Sequence, residues 1–179
     1  MNPQDRKQQN LTTIYRALLE LMMQKPMATI SITELCHRAQ VSRTYFYRHY
    51  QSFDQIIIAY QTQNMLSYLR RLPRTSQVEL ADLMMYYFEN TKLEAETYQL
   101  LIKNGQLDVL LQTFQTVFQL LIKQDRIGGH SSRLNEPYYL EYFSGAVINI
   151  TVNWVKRGFV ESPRYLGQLV ARFTLNQVM

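Results

Sequence analysis

The sequence predicts an all-α protein, and three observations carry that prediction. Glycine (6) and proline (5) are scarce in a chain of 179 residues, at about half their usual share, so turn signals are few. Apolar residues recur three and four apart through most of the chain, as one buried face of a helix requires. No stretch alternates convincingly between apolar and polar residues, and a sandwich or barrel would need a turn signal roughly every 8–12 residues. With 46% hydrophobic and 18% charged residues, a substantial core is available and global disorder is excluded.

Taken in order, Leu11, Ile14, Tyr15, Leu18, Leu21 and Met22 give a first amphipathic helix that Pro26 ends. A short second helix carries Ile32, Leu35, Cys36 and Ala39 on one face. Ser31 precedes it with Glu34 three residues on, the spacing of a capping box. Ser42 caps a third, equally short helix through about His49. Phe53, Ile56, Ile57 and Tyr60 open a long fourth helix that runs to the Leu72-Pro73 break. Longer helices follow over 76–92, 94–103, 105–124, 137–157 and 163–177. Asn104-Gly105, Gly128-Gly129 and Ser162-Pro163 supply the breaks between them. The polar segment Asp125 to Glu136 reads as a mobile loop.

Several classes of function are excluded by what the chain holds. Its one cysteine rules out an intramolecular disulfide and a four-cysteine zinc site. Cys36 and His37 are adjacent on a helix, point about 100° apart and have no companion ligands, so Cys36 reads as a small core residue and no metal is expected. His37 and His49 read as surface groups or phosphate donors, and His130 is given no role. No signal peptide is apparent, and a reducing cytoplasm is the expected compartment. The most apolar stretch, Ala146 to Val155, is cut by Asn149 and Asn153 and falls far short of the ~20 residues that cross a membrane.

Charge is unevenly placed. Residues 1–75 hold ten Lys/Arg against four Asp/Glu, a net +6, whereas residues 76–179 hold nine against ten, a net −1. A basic first third on a near-neutral remainder suits contact with a polyanion. Two short helices joined by a tight turn after an amphipathic helix make a helix-turn-helix candidate. Setting the third helix at 100° steps turns Phe46 and Tyr50 inward with Val41. Thr44, Tyr45 and Arg48 then point outward, with Arg43 and Tyr47 at the margin. Such a face suits DNA: Arg pairs with guanine O6/N7, and Tyr and Thr hydroxyls reach phosphates or base edges. The N-termini of the second and third helices also aim free N–H groups at phosphates.

At these residues the sequence resembles the TetR family of transcriptional regulators. Thr33-Glu-Leu-Cys-His-Arg-Ala-Gln-Val-Ser-Arg-Thr-Tyr-Phe-Tyr-Arg-His-Tyr50 is similar to that family's signature, with Ala39, Val41, Ser42, Phe46 and Tyr47 at its strongest positions and Tyr50 in place of its usual Phe. The similarity covers residues 10–58. The stretch Gly145 to Leu169 is similar to a short-bodied subclass that includes activators of dihydroxyacetone kinase operons. The resemblance implies base contacts from Arg43, Thr44 and Tyr45, and phosphate contacts from Ser31, Thr33, Tyr47 and His49. Ser42 and Arg48 complete the expected phosphate set. Two positions depart from the family. Gln40 stands where a turn glycine is usual and has to take up that backbone geometry. Phe53 stands where a lysine is usual, which removes one cation from the DNA face.

The second half contains no phosphate loop, nucleophile elbow or metal-binding helix pattern, so no enzyme is expected. It is rich in aromatics with polar tips. Tyr86, Tyr87, Tyr98, Phe114, Phe118, Tyr142 and Trp154 form the expected effector pocket, one suited to a flat or amphipathic small molecule. The last two helices carry the expected dimer face. Tyr138, Glu141, Tyr142, Gly145, Ile148 and Val152 lie on the first, with Gly145 and Ala146 allowing close approach, and Leu166, Leu169, Val170 and Phe173 lie on the second.

The sequence reading is therefore a TetR-type regulator of double-stranded DNA, with a DNA-binding head at 1–52 and a ligand-sensing, dimerising body at 53–179. It is expected to act as a homodimer on a near-palindromic operator under a small-molecule effector, with no cofactor and no membrane partner. The alternative is a protein-interaction regulator whose body binds a partner protein, with weak or accessory DNA binding.

Overall fold

The computed structural model describes residues 3–70, 77–128, 134 and 136–175. Nine α-helices stand among the described residues: α1 (Pro3–Gln24), α2 (Ile32–Arg38), α3 (Arg43–His49), α4 (Phe53–Leu69), α5 (Leu80–Leu93), α6 (Ala95–Lys103), α7 (Leu107–Lys123), α8 (Tyr139–Lys156) and α9 (Pro163–Leu175). The all-α expectation holds, and most boundaries fall within a few residues of those read from the sequence. The expected ends of the fourth helix at Leu72 and of the last at 177 lie outside the described residues, as does His130.

Two expectations need correction. The helix expected from 76 begins at Leu80, and residues 77–79 are not helical. Val78 forms an isolated parallel bridge with Ile127: its N–H donates to the Arg126 carbonyl at 2.8 Å, and the Gly128 N–H donates to the Val78 carbonyl at 2.9 Å. The start of the segment read as a mobile loop is thus pinned by backbone pairing. Helical periodicity could not register that bond, because it lies between backbones nearly fifty residues apart.

Head and body share one continuous core. Ile14, Leu18, Leu35 and Phe46 of the first three helices meet Ile56 and Ile57 of α4, all fully buried. A polar pin reinforces the α1–α4 contact. The Tyr15 ring stacks on Tyr60 with centroids 3.8 Å apart, and the Gln61 amide donates to the Tyr15 hydroxyl at 2.6 Å. Farther along, α4 packs against α7, α7 against α8, and α6 against both α1 and α8.

The closest helix contact is between α5 and α9. At Gly167 the two backbones nearly touch: a Cβ there would stand 2.4 Å from the Ala81 carbonyl oxygen and 2.6 Å from the Met85 nitrogen. Backbone cannot swing aside as a side-chain tip can, so glycine is required for proximity, although it is a poor helix former. Gly167→Ala is expected to lower stability by about 1–3 kcal/mol, the usual cost of overpacking, despite alanine's higher helix propensity. Urea unfolding followed by circular dichroism checks this; an unchanged or raised midpoint would refute the tight α5–α9 contact.

Candidate nucleic-acid interface

The second and third helices are both closed by side-chain caps. Ser31 Oγ accepts from the Glu34 N–H at 3.1 Å, and Ser42 Oγ accepts from the Tyr45 N–H at 3.0 Å. Each hydroxyl uses a lone pair in the cap and keeps its own proton to donate outward. Between them the chain turns at Gln40, whose φ of 53° lies in the left-handed region. The turn closes through Val41 N–H to the Cys36 carbonyl at 3.0 Å and Gln40 N–H to the His37 carbonyl at 3.2 Å. Glutamine therefore adopts the geometry expected of a glycine, at a cost it cannot recover locally.

Helix α3 is held from below by Phe46, which is fully buried. The rings of Tyr50 and Phe53 stand 6.1 Å from it. Phe53, the residue in the place of a lysine, thus gives up a cation and gains a packing contact between α3 and the first turn of α4. Tyr50 is also buried, and that burial pushes its hydroxyl pKa well above the ordinary tyrosine value. Cys36 lies in this same core.

Above that core, Ser42, Arg43, Thr44, Tyr47, Arg48 and His49 are all exposed, as are Ser31 and Thr33 on α2. Tyr45 departs from the helical wheel. Its ring lies 4.5 Å from His49 and 6.5 Å from Tyr50, it is half-buried, and its hydroxyl is shut away from solvent. The wheel gave its direction from α3 alone, whereas the aromatic neighbours His49 and Tyr50 draw the ring back onto the head. Two nearby cations are already paired: Arg38 with Glu20 at 3.0 Å and Lys25 with Glu34 at 2.6 Å. The Lys25 bond holds the Glu34 carboxyl below its ordinary range. The unpaired positive charge of the second and third helices is thereby concentrated on Arg43 and Arg48.

In the body, four of the seven expected pocket residues meet. Tyr86, Tyr87, Phe114 and Phe118 line a seam between α4, α5 and α7 with Met65, Leu69 and Leu83. Its free volume is about 20 Å³, room for about one water. The rings are packed against each other, with Phe114 5.1 Å from Tyr87 and 5.6 Å from Phe118. The other three lie elsewhere. Trp154 packs edge-on to Phe88 and Phe159 and donates to the Glu161 carbonyl. Tyr98 is buried, its hydroxyl pKa pushed up to about 12 chiefly by desolvation. Tyr142 is exposed on α8. Burial likewise raises the Tyr87 pKa, and its hydroxyl lies 3.0 Å from Thr151 Oγ1.

The ten residues expected at a dimer face divide by exposure. Ile148, Val152, Leu166 and Val170 are buried within the single chain, so the chain's own packing covers them and leaves them no surface to offer a partner. Tyr138, Glu141, Tyr142 and Phe173 are exposed, and Gly145 and Leu169 are half-exposed. Sequence reasoning missed Tyr165, exposed on α9 two turns from Phe173. It also missed that Tyr138 takes a left-handed φ of 64°.

A family model described as a transcriptional regulator C-terminal region, of the TetR class, matches residues 75–176. No curated protein matches. Among solved structures, Lin0861 from Listeria innocua is similar with a TM-score of 0.75 at 17% identity, over 97% of this chain and 95% of that one. The dihydroxyacetone kinase operon activator DhaS is similar with a TM-score of 0.57 at 16% identity, over 94% and 96%. The fatty acid degradation regulator FadR from Bacillus halodurans follows with 0.51 at 12%, over 94% and 99%. At such identities the likeness is one of fold. The family match falls on the body, while the helix-turn-helix pattern lies wholly outside it.

Replacing Gln40 by Gly removes left-handed strain at the turn that orients α3. The expected gain is up to about 1 kcal/mol, the left-handed penalty less glycine's added unfolded-state entropy. A lower urea midpoint for Gln40→Gly would contradict the strained turn.

Proposed function

The chain belongs to the TetR family of transcriptional regulators, a family of regulators and not of enzymes, and from that premise we propose that it is a homodimeric DNA-binding regulator whose α3 enters the major groove. The exposed cationic face of α3, seated on a fully buried Phe46, carries the proposal. Arg43 and Thr44 reach base edges from the first turn, and Tyr47, Arg48 and His49 flank them. Ser31, Thr33 and Ser42 donate to phosphates. Tyr45 is assigned to the same face; its half-buried ring has to rotate off His49 to reach a base, so it contributes less than Arg43.

The dimer proposal rests on a contrast between two glycines. Gly167 is required by α5. At Gly145 a Cβ would meet nothing within 4 Å among the described residues, so none of them repays the roughly 1 kcal/mol that a mid-helix glycine costs. Exposed aromatics stand at the start of the same helix, Tyr138 just before α8 and Tyr142 on it, and α9 exposes Tyr165 and Phe173. A second copy packed against Gly145 accounts for both features. Two-fold pairing then sets two recognition helices about 34–36 Å apart, or a multiple of that, on a near-palindromic site.

Control requires a ligand with different affinities for the two head spacings, since only that difference moves the equilibrium. A second reading follows from the tight packing of the aromatic seam: the body answers to a partner protein bound through its exposed aromatics rather than to a small molecule. Survival of the dimer when Tyr142 or Phe173 is made acidic would favour that reading, because those side chains would then be free for another protein.

Selection from random duplex DNA should return a near-palindrome bound at least ~10³-fold tighter than bulk DNA. Arg43→Ala should weaken that site by about 1–3 kcal/mol and Tyr45→Ala by less, both with unchanged helical content. Equal affinity of Arg43→Ala and wild type would remove α3 as the reading helix. Gly145→Leu should leave the protomer folded while shifting sedimentation from dimer to monomer; an undisturbed dimer would place the interface elsewhere.

A further inference from the structure

A groove of about 620 Å³ opens between the first half of α1 and the second half of α4. It lies on the side of the two helices beyond the Tyr15–Tyr60 stack. Residues one and two turns farther out, Gln8 and Thr12 on α1 and Gln63, Asn64 and Ser67 on α4, are polar. Lys7 stands in one wall and Arg70 in the other, both exposed, and none of the described lining residues is acidic. The Asn64 amide nitrogen is shut away from solvent without a partner, so a donor is left unpaired in the wall.

We infer that this groove is a binding site for a small hydroxylated organic anion, a phosphate or carboxylate whose oxyanion sits between Lys7 and Arg70. Arg70 offers the forked donors that match an oxyanion, and Lys7 adds a point charge across the groove. The hydroxyls of the ligand meet Gln63, Ser67 and the Tyr60 hydroxyl, and a small rotation of Asn64 gives its unpaired amide an acceptor. The volume is that of a small-molecule site. DNA bound at α3 is not the occupant. Helix α4 rises about 1.5 Å per residue, which sets Arg70 about 25 Å from Phe53, where α4 follows α3.

That such a ligand acts as an effector rests on the regulator reading above, because α1 belongs to the head and α4 joins it to the body. Binding itself does not depend on that reading. The test is titration calorimetry on the full chain without DNA, using glucose 6-phosphate and citrate as probes. Uncharged glucose, and sodium chloride at matched ionic strength, serve as controls. At least one of the two anions is expected to bind saturably with a Kd below roughly 1 mM. Lys7→Gln and Arg70→Gln should each weaken it tenfold or more while the ligand-free melting temperature stays that of wild type. Arg16→Gln, which removes an exposed cation of α1 outside the groove, should not weaken it. The site is overturned if neither anion saturates, if glucose binds as well, or if binding survives both groove substitutions. A missing operator would fail the regulator reading and leave this titration intact.

Discussion

Helix α4 is packed along its length against α1 of the head and, farther on, against α7 of the body, and this double burial governs the rest of the molecule. Ile56 and Ile57 near its start are fully buried among head residues, and Met65 and Leu69 near its end are buried among body residues. No apolar gap separates the two clusters. A hinge in the usual sense needs a weakly packed connection, and here the connection is part of both cores. Motion between head and body therefore has to occur as a tilt of α4 with its neighbours.

Two polar contacts limit that tilt. The Gln61–Tyr15 hydrogen bond is buried, so breaking it strands a donor and an acceptor without water. At the other end of the head, the Met27 N–H donates to Asn104 Oδ1 at 3.4 Å, a long bond joining the turn after α1 to the turn after α6. The first is short and enclosed, the second long and half-exposed. A shift of the head is thus cheaper about the Tyr15–Gln61 contact than through it, with the Met27–Asn104 contact yielding first. Under the proposed function, any coupling between the body and α3 would have to pass through this pair of contacts and α4, which is packed at both ends.

The legible parts of the fold were those set by local rules. Ser31 and Ser42 announced two helix starts, Gln40 a strained turn, and Phe46 an inward ring, because caps, turns and a single helix's periodicity depend on neighbours within four residues. What escaped depends on distant partners. Periodicity says that Ile148, Val152, Leu166 and Val170 are on apolar stripes, but not whether the chain itself or a second copy covers them. Tyr45 was misdirected because the wheel has no term for the rings of His49 and Tyr50. The Val78–Ile127 bridge and the α5–α9 contact at Gly167 leave no trace in spacing. A helical glycine reads as a weakness until its neighbour's backbone is located. Of the aromatic residues expected to line an effector pocket, Tyr87, Tyr98, Phe114, Phe118 and Trp154 are buried, yet composition cannot distinguish a ring lining a cavity from a ring filling one.

That last distinction decides where a ligand can enter. A drug-sized molecule occupies a site of roughly 300 Å³ or more, and the aromatic seam offers about 20 Å³. Enlarging it would cost about 7 kcal/mol if core volume is opened at ~24 cal/mol per Å³, which lowers affinity by about five orders of magnitude. A ligand of the seam has to be apolar enough to repay that cost in contacts with Tyr87, Phe114 and Phe118, and its binding is then tied to separating α4 from α7. The α1–α4 groove is already open and requires no such work. A polar anion consequently meets a preformed site on one flank of α4, and an apolar molecule meets a closed one on the other. The two flanks move the same helix, so ligands of opposite chemistry would act on the head through one element and compete or cooperate according to the tilt each prefers.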